Sequence, residues 1–284
     1  MITKTKAIFL DMDGTILNHQ NKVSTYTKEI IEEVRKRGIK VFIATGRAYE
    51  EIEELTPPGF QVDGVVASNG MVGYVGNDVI FKHSLSRELV ETVIKMAREN
   101  QVYYELFPYG SPRITLKQDQ SYVEDEIRDP KPESVGINEW DSRKESIAQK
   151  ISWADEVVGD AFSKFYFFAR TKEQINRWKE ELDQLKKEID FTTSISTEHN
   201  VELMVANVNK ATGIQQMLKH FGLTESETMA IGDSDNDLPM FRLVNYAVAM
   251  KNAPDSIKEV ADDVTDFTCD EDGVYSYLKT KFIG

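Results

Sequence analysis

Cys269 is the only cysteine in the 284 residues. That scarcity excludes an intramolecular disulfide framework, fits a reducing compartment, and leaves Cys269 itself read as an inert small residue. Long apolar runs are also missing. The first one, Ala7 to Leu10, stops at Asp11, and nothing reaches the ~7–15 apolar residues of a secretory leader or the ~20 of a membrane-spanning helix. A soluble, cytoplasmic protein is expected. Basic residues are in deficit, with 34 Lys and Arg against 48 Asp and Glu and a formal charge of −14. This argues against nucleic acid or an anionic membrane as the main partner. A small anionic substrate stays compatible, because a local cation or lysine reverses the field inside one cleft. The four histidines (His19, His83, His199, His220) show no metal-ligand spacing and read as incidental. No Gly-x-Gly-x-x-Gly or P-loop lysine motif supports a dinucleotide or a nucleoside triphosphate.

What the chain does have is a rhythm. Short apolar runs, Ala7–Leu10, Val41–Ala44, Val65–Ala67, Met229–Ile231 and Tyr246–Ala249, end in polar or glycine-rich turns and alternate with amphipathic stretches. Such runs suit strands buried on both faces of a parallel sheet. Helices are predicted over Ser24–Arg37, stopping at Gly38, and over Ala211–His220, closed by Phe221-Gly222. This is the pattern of an open α/β sheet with right-handed crossovers. Between about Ser86 and Val205 the pattern changes to helices (Glu88–Glu99, Lys172–Glu188) mixed with strands rich in aromatics (Tyr103–Phe107, Arg113–Lys117, Ser163–Ala169), then Phe191–Ile195 and Val201–Met204. That segment reads as an α+β insertion, its aromatics as core, and its Asp129-Pro130-Lys131-Pro132 as a surface loop.

The chemistry lies just after the apolar runs. The first ends in Asp11-Met12-Asp13-Gly14-Thr15, the second in Thr45-Gly46-Arg47, the fourth in Gly232-Asp233-Ser234-Asp235-Asn236-Asp237. Ligands of open parallel sheets bind beyond the carboxyl ends of the strands. If these strands are neighbours, Asp11, Asp13, Thr45 and Asp233 converge there. Carboxylates meeting at one point repel each other unless a cation shares them, and hard oxygen donors suit Mg²⁺. Taken singly, Asp-Gly is a common turn, Thr45-Gly46 could cap a helix, and the acidic run could be a solvated loop.

Together with Lys210, these stretches resemble the four motifs of the haloacid dehalogenase-like phosphatases, and the insertion resembles the type IIB cap of the Cof-type subgroup, as does Asn69-Gly70. That subgroup usually carries glycine after the lysine, where this chain has Ala211. The resemblance implies a Rossmann-like parallel-sheet core over 1–85 and 206–284 and an inserted α+β cap over 86–205. It implies a Mg²⁺-dependent phosphatase acting on a small phosphorylated metabolite, as a monomer or homodimer. Asp11 would be the nucleophile and Asp13 the acid and base, its carboxyl pushed up by low solvent access and by Asp11. Mg²⁺ would be held by Asp11, Asp233 and the Asp13 carbonyl. Lys210, Thr45, Gly46, Asn236 and the Met12 amide would hold the phosphoryl oxygens, and Asp237 would orient Lys210. Ser234 and Asp235 are expected to be solvent-facing or supporting, and Arg47 structural or at the entrance. A phosphomutase, a phospho-acceptor signalling module and a silent binding protein are the competing readings.

Overall fold

The computed structural model describes residues 4–284; Met1 to Thr3, at the start of the expected core, lie outside them. In chain order the elements are β1 (Ala7–Leu10), α1 (Thr25–Lys36), β2 (Lys40–Ala44), α2 (Tyr49–Leu55), β3 (Gly64–Ala67), β4 (Val72–Val75), β5 (Asp78–Lys82) and α3 (Arg87–Glu99). They continue with β6 (Tyr103–Pro108), β7 (Arg113–Leu116), α4 (Gln120–Glu126), α5 (Ile137–Glu145), β8 (Ile151–Ala154), β9 (Phe162–Phe168), α6 (Lys172–Leu185), β10 (Phe191–Ser194) and β11 (Asn200–Val205). The last part holds α7 (Lys210–Phe221), β12 (Thr228–Gly232), α8 (Leu238–Leu243), β13 (Tyr246–Ala249) and β14 (Asp263–Val264). The chain divides into a unit that ends at Lys82 and resumes over Val208–Gly284, and a second unit, His83–Asn207.

The first unit is an α/β layer built on an eight-stranded sheet in the order β14-β13-β12-β1-β2-β3-β4-β5. Pairing is parallel from β14 through β3 and antiparallel across β3–β4–β5. All four residues of β1 are fully buried, which is why its sequence is continuously apolar rather than alternating. β1 lies between β2 and β12, and from this point the strand order runs outward in both directions, the place beyond whose carboxyl edge open α/β sheets bind ligands. The Ser24 hydroxyl accepts from the Thr27 amide at 3.0 Å and fixes the start of α1.

The second unit is α+β, a six-stranded sheet in the order β10-β11-β9-β6-β7-β8. One face packs Tyr104, Leu106, Phe165 and Phe167 with Val93 of α3 and Trp178 of α6 into one apolar cluster. Strand alternation sends Tyr103, Glu105, Arg113 and Tyr166 to the other face. There the buried Glu105 accepts from Tyr103 Oη at 2.5 Å, from Arg113 Nη1 at 2.7 Å and from Arg143. The Arg143 guanidinium lies 4.0 Å from the centre of the Tyr166 ring. The aromatics read as core, Tyr103, Tyr104, Phe107 and Phe165–Phe168, are all buried.

Candidate active site

Three neighbouring strands carry the chemical groups. The ladder between β1 and β12 continues one step through Asp11 N to Ile231 O at 3.0 Å, and that between β2 and β3 through Thr45 N to Val66 O at 2.9 Å. Both residues are thereby fixed at the carboxyl edge of the sheet. Gly14 then turns the chain at φ +73°, and a Cβ placed there would stand 2.1 Å from Asp233 Oδ2. Only glycine lets the loop after β1 come that close to the loop after β12.

Lys210 reaches the same edge from the first position of α7. The Asn209 side chain accepts from Thr212 N at 3.2 Å while Asn209 N donates to Thr212 Oγ1 at 3.1 Å, a reciprocal cap that sets the helix start. Ala211 stands within regular helix, where no glycine is required. A lysine at a helix N-terminus opposes the helix dipole. Here Lys210 Nζ, fully buried, is compensated by Asp11 Oδ1 at 2.5 Å and Asp237 Oδ1 at 2.6 Å. Burial works to lower its pKa, yet the two carboxylates outweigh burial and hold it above the ordinary lysine value.

One carboxylate oxygen from each of Asp11, Asp233 and Asp237 lies within 4.8 Å of the other two. Their surroundings separate their roles. Asp237 is saturated: its second oxygen accepts from Asp233 N at 2.9 Å and Ser234 N at 3.0 Å. Asp233 Oδ1 is buried with no hydrogen-bond partner, an arrangement that costs free energy unless something supplies positive charge. Burial first, then Asp237, lifts the Asp11 carboxyl to about 7 against the pull of Lys210. Burial first, then Asp11, lifts Asp233 to about 9. A divalent cation between Asp11 and Asp233 would relieve both penalties at once, and hard carboxylate oxygens are a donor set that could hold Mg²⁺.

The remaining expected residues fall as follows. Thr45 is fully buried and its Oγ1 accepts from Arg47 N at 3.1 Å, so its hydroxyl proton is left to donate elsewhere. It caps no helix, since α2 starts at Tyr49, where Glu51 closes back on Ala48 N at 2.9 Å. Gly46 lies against Asn69, whose amide would be 3.3 Å from a Cβ at that position. Asn236 Oδ1 accepts from Ser234 Oγ at 2.8 Å and its Nδ2 faces Asn69 Oδ1 at 3.4 Å. Met12 buries its side chain fully, and Asp235 is exposed.

Asp13 departs from expectation. Low solvent access was expected, whereas its side chain is 53% exposed and lies on the Arg47 guanidinium, with Nε at 2.9 Å and Nη2 at 2.5 Å. The loop turns outward at Asp13 because its neighbour Met12 points into the core. Arg47 accordingly touches the site through Asp13. Asn252 went unnoticed in the sequence. Its Nδ2 donates to Gly14 O at 2.8 Å and faces Asp233 Oδ2 at 3.5 Å, pinning the two loops together.

A family model described as haloacid dehalogenase-like hydrolase matches residues 8–278. Phosphatase YwpJ of Bacillus subtilis is 28% identical, over 96% of this chain and 99% of its own. The B. subtilis 5-amino-6-(5-phospho-D-ribitylamino)uracil phosphatase YcsE is 29% identical, over 96% and 94%. Among solved structures, a haloacid dehalogenase-like hydrolase from B. subtilis superposes with a TM-score of 0.81 at 26% identity, over 97% of this chain and 99% of that one. The subclass IIB sugar phosphatase BT4131 superposes with a TM-score of 0.71 at 25% identity, over 97% and 98%.

Proposed function

Because the chain belongs to the haloacid dehalogenase-like hydrolases and is a phosphatase, we propose that it hydrolyses small phosphomonoesters with Mg²⁺ through a phosphoaspartate on Asp11. The carrying observation is the meeting of Asp11, Asp233 and the buried Lys210 at one sheet edge, with Asp233 Oδ1 unpartnered.

A phosphomonoester is anionic, so an anionic nucleophile approaches it only where positive charge and donors are already in place. Lys210 supplies one such charge beside Asp11. The Thr45 hydroxyl, the Gly46 and Met12 amides and the Asn236 side chain donate to the phosphoryl oxygens. The Asp11 and Asp233 carboxylates and the Asp13 carbonyl would hold Mg²⁺, which would supply further positive charge beside the phosphoryl group. Asp11 attacks phosphorus in line. A bond forms from its carboxylate oxygen as the bond to the leaving oxygen breaks, and Asp13 protonates that leaving oxygen. Water then attacks the phosphoaspartate, gives its proton to Asp13, and frees Asp11 and inorganic phosphate. For both transfers Asp13 leaves Arg47 and turns to the reacting group. Asp237 keeps Lys210 and the Asp233-Ser234 amides in place.

Phosphorylated sugars and polyols are the substrate class we favour. Support comes from one relative named for a ribityl phosphate and a structural neighbour named as a sugar phosphatase. The inserted unit, His83–Asn207, is assigned the part of the cap that selects the leaving group. The test is phosphate release from a panel of sugar, polyol and cofactor monophosphates with Mg²⁺ and with chelator, alongside Asp11→Asn. Release that survives in the variant, or that ignores the chelator, overturns the mechanism.

A further inference from the structure

On the side of the first unit reached through Asn252, a second group of metal-binding side chains gathers from opposite ends of the chain. His19, Cys269 and Asp270 each bring one ligand atom within 4.8 Å of the other two. His19 Nδ1 bonds to Asp270 Oδ2 and lies 4.0 Å from Cys269 Sγ. None of the three takes part in the phosphoryl chemistry above.

The backbone holds this triad in place. Asn18 Oδ1 accepts from Gln20 N and Lys22 N, both at 3.0 Å, and the turn they close presents His19. His19 N donates to Asp270 Oδ1 at 2.9 Å and ties that turn to the other loop. Across from it, Glu271 accepts from Thr268 N at 3.1 Å and Oγ1 at 2.9 Å, while Cys269 N donates to Asn252 Oδ1 at 2.9 Å. Cys269 is buried, and the His19 and Asp270 side chains are 71% and 47% exposed. The Cys269 sulfur sits at the base, where burial pushes its thiol up to about 11, imidazole and carboxylate sit at the rim, and the outer side is open to water.

We propose that His19, Cys269 and Asp270 form a binding site for a borderline-soft divalent transition metal, Zn²⁺ or Co²⁺, separate from the site at Asp11 and Asp233. One nitrogen, one sulfur and one oxygen donor, each ~2.0–2.3 Å from such an ion, make three corners of a tetrahedron, with water as the fourth. Atoms so bound stand somewhat under 4 Å apart, so the present spacings need only small side-chain adjustments. Binding breaks the Cys269 S–H bond and releases that proton to water, and it uses the His19 tautomer that carries its proton on Nε2, so that Nδ1 can bind the ion. Thiolate and imidazole choose Zn²⁺ and Co²⁺ over Mg²⁺, whereas the all-oxygen set at Asp11 and Asp233 suits Mg²⁺ as well, so donor softness keeps Mg²⁺ out of the His19 site.

The test uses the full chain and Co²⁺ alone, followed by absorption. A thiolate-to-cobalt charge-transfer band saturating at one ion per chain is expected. Because the sequence has a single cysteine, any such band reports Cys269, and cobalt at the carboxylate site is silent in it. Cys269→Ser removes the band. His19→Ala and Asp270→Asn each shift its midpoint by at least about tenfold, with Mg²⁺-dependent phosphatase activity kept as evidence of an intact fold. Absence of the band, saturation at half an ion per chain (cobalt bridging two molecules), or an unchanged midpoint in both variants overturns the assignment.

Discussion

Replacing Asp233 by asparagine is expected to stabilise the metal-free protein while abolishing its activity. In the folded chain burial first, then Asp11 and Asp237, lift this carboxyl to about 9, against ~3.9 when unfolded. The fold thus keeps a proton that the unfolded chain releases. Stability is full below about pH 4 and is lost as pH rises toward the folded value. Near pH 8 the shift spans roughly four pH units at about 1.4 kcal/mol each, an upper bound of about 5–6 kcal/mol. Relaxation around a buried charge group leaves on the order of 2–3 kcal/mol. Asparagine has the same shape and no charge. In chelator near pH 8, Asp233→Asn is expected to melt roughly 5–10 °C above the parent. Near pH 5 most of that gap closes, because little of the titration range has been crossed. Saturating Mg²⁺ reverses the order, since only the parent gains binding free energy. A variant no more stable than the parent in chelator near pH 8, or one whose advantage is equal at both pH values, refutes the reasoning.

Lys210→Ala leaves Asp11 and Asp237 buried without their shared cation. It should cost about 3–5 kcal/mol in denaturant titration and lower kcat at least ~10²-fold; parent-like stability would show that the carboxylates find another partner. In Gly14→Ala the new methyl collides with Asp233 Oδ2, so Mg²⁺ half-saturation should rise about tenfold or more with the far-UV spectrum unchanged; an unmoved Mg²⁺ titration would show that the loop yields freely. In the second unit, Glu105→Ala strands the buried Arg113 and Arg143 and should cost about 3–5 kcal/mol. An unchanged urea midpoint would mean that both guanidiniums reach water.

The sequence reveals what local pattern encodes. β1, β2 and β12 announce themselves because strands covered on both faces read as unbroken apolar runs, and the acidic turns after β1 and β12 mark the edge where Asp11 and Asp233 meet. β8 escapes notice, because Ile-Ser-Trp-Ala is half-exposed and no longer than a loop fragment. β14 is two residues paired to β13 and carries too little pattern to be seen. The β4–β5 hairpin is missed although Gly76-Asn77 is a hairpin turn signal, since β5 is too exposed to suggest a strand. At the site, Arg47 meets Asp13 across 34 positions, and Asn252 reaches Gly14 across 238. Nothing in the neighbours of either residue announces those encounters, which exist only once the sheet order brings the loops together. His19 and Cys269 are the same case on a longer span.

The pairing of β1 with β12 brings Ala7 beside Thr228 at the middle of the first unit's sheet. A ribosome must therefore deliver every residue from β1 through Thr228 before the innermost ladder can close, and the whole inserted unit emerges while β1 waits unpaired on that side. Long-range parallel pairing is slow to form, whereas the insertion is continuous in the chain and can fold as it appears. A nascent chain halted ahead of β12 would carry Asp11 and Lys210 but neither Asp237 nor Asp233, so the groups that meet at this sheet edge assemble only once β12 and the loop after it have emerged.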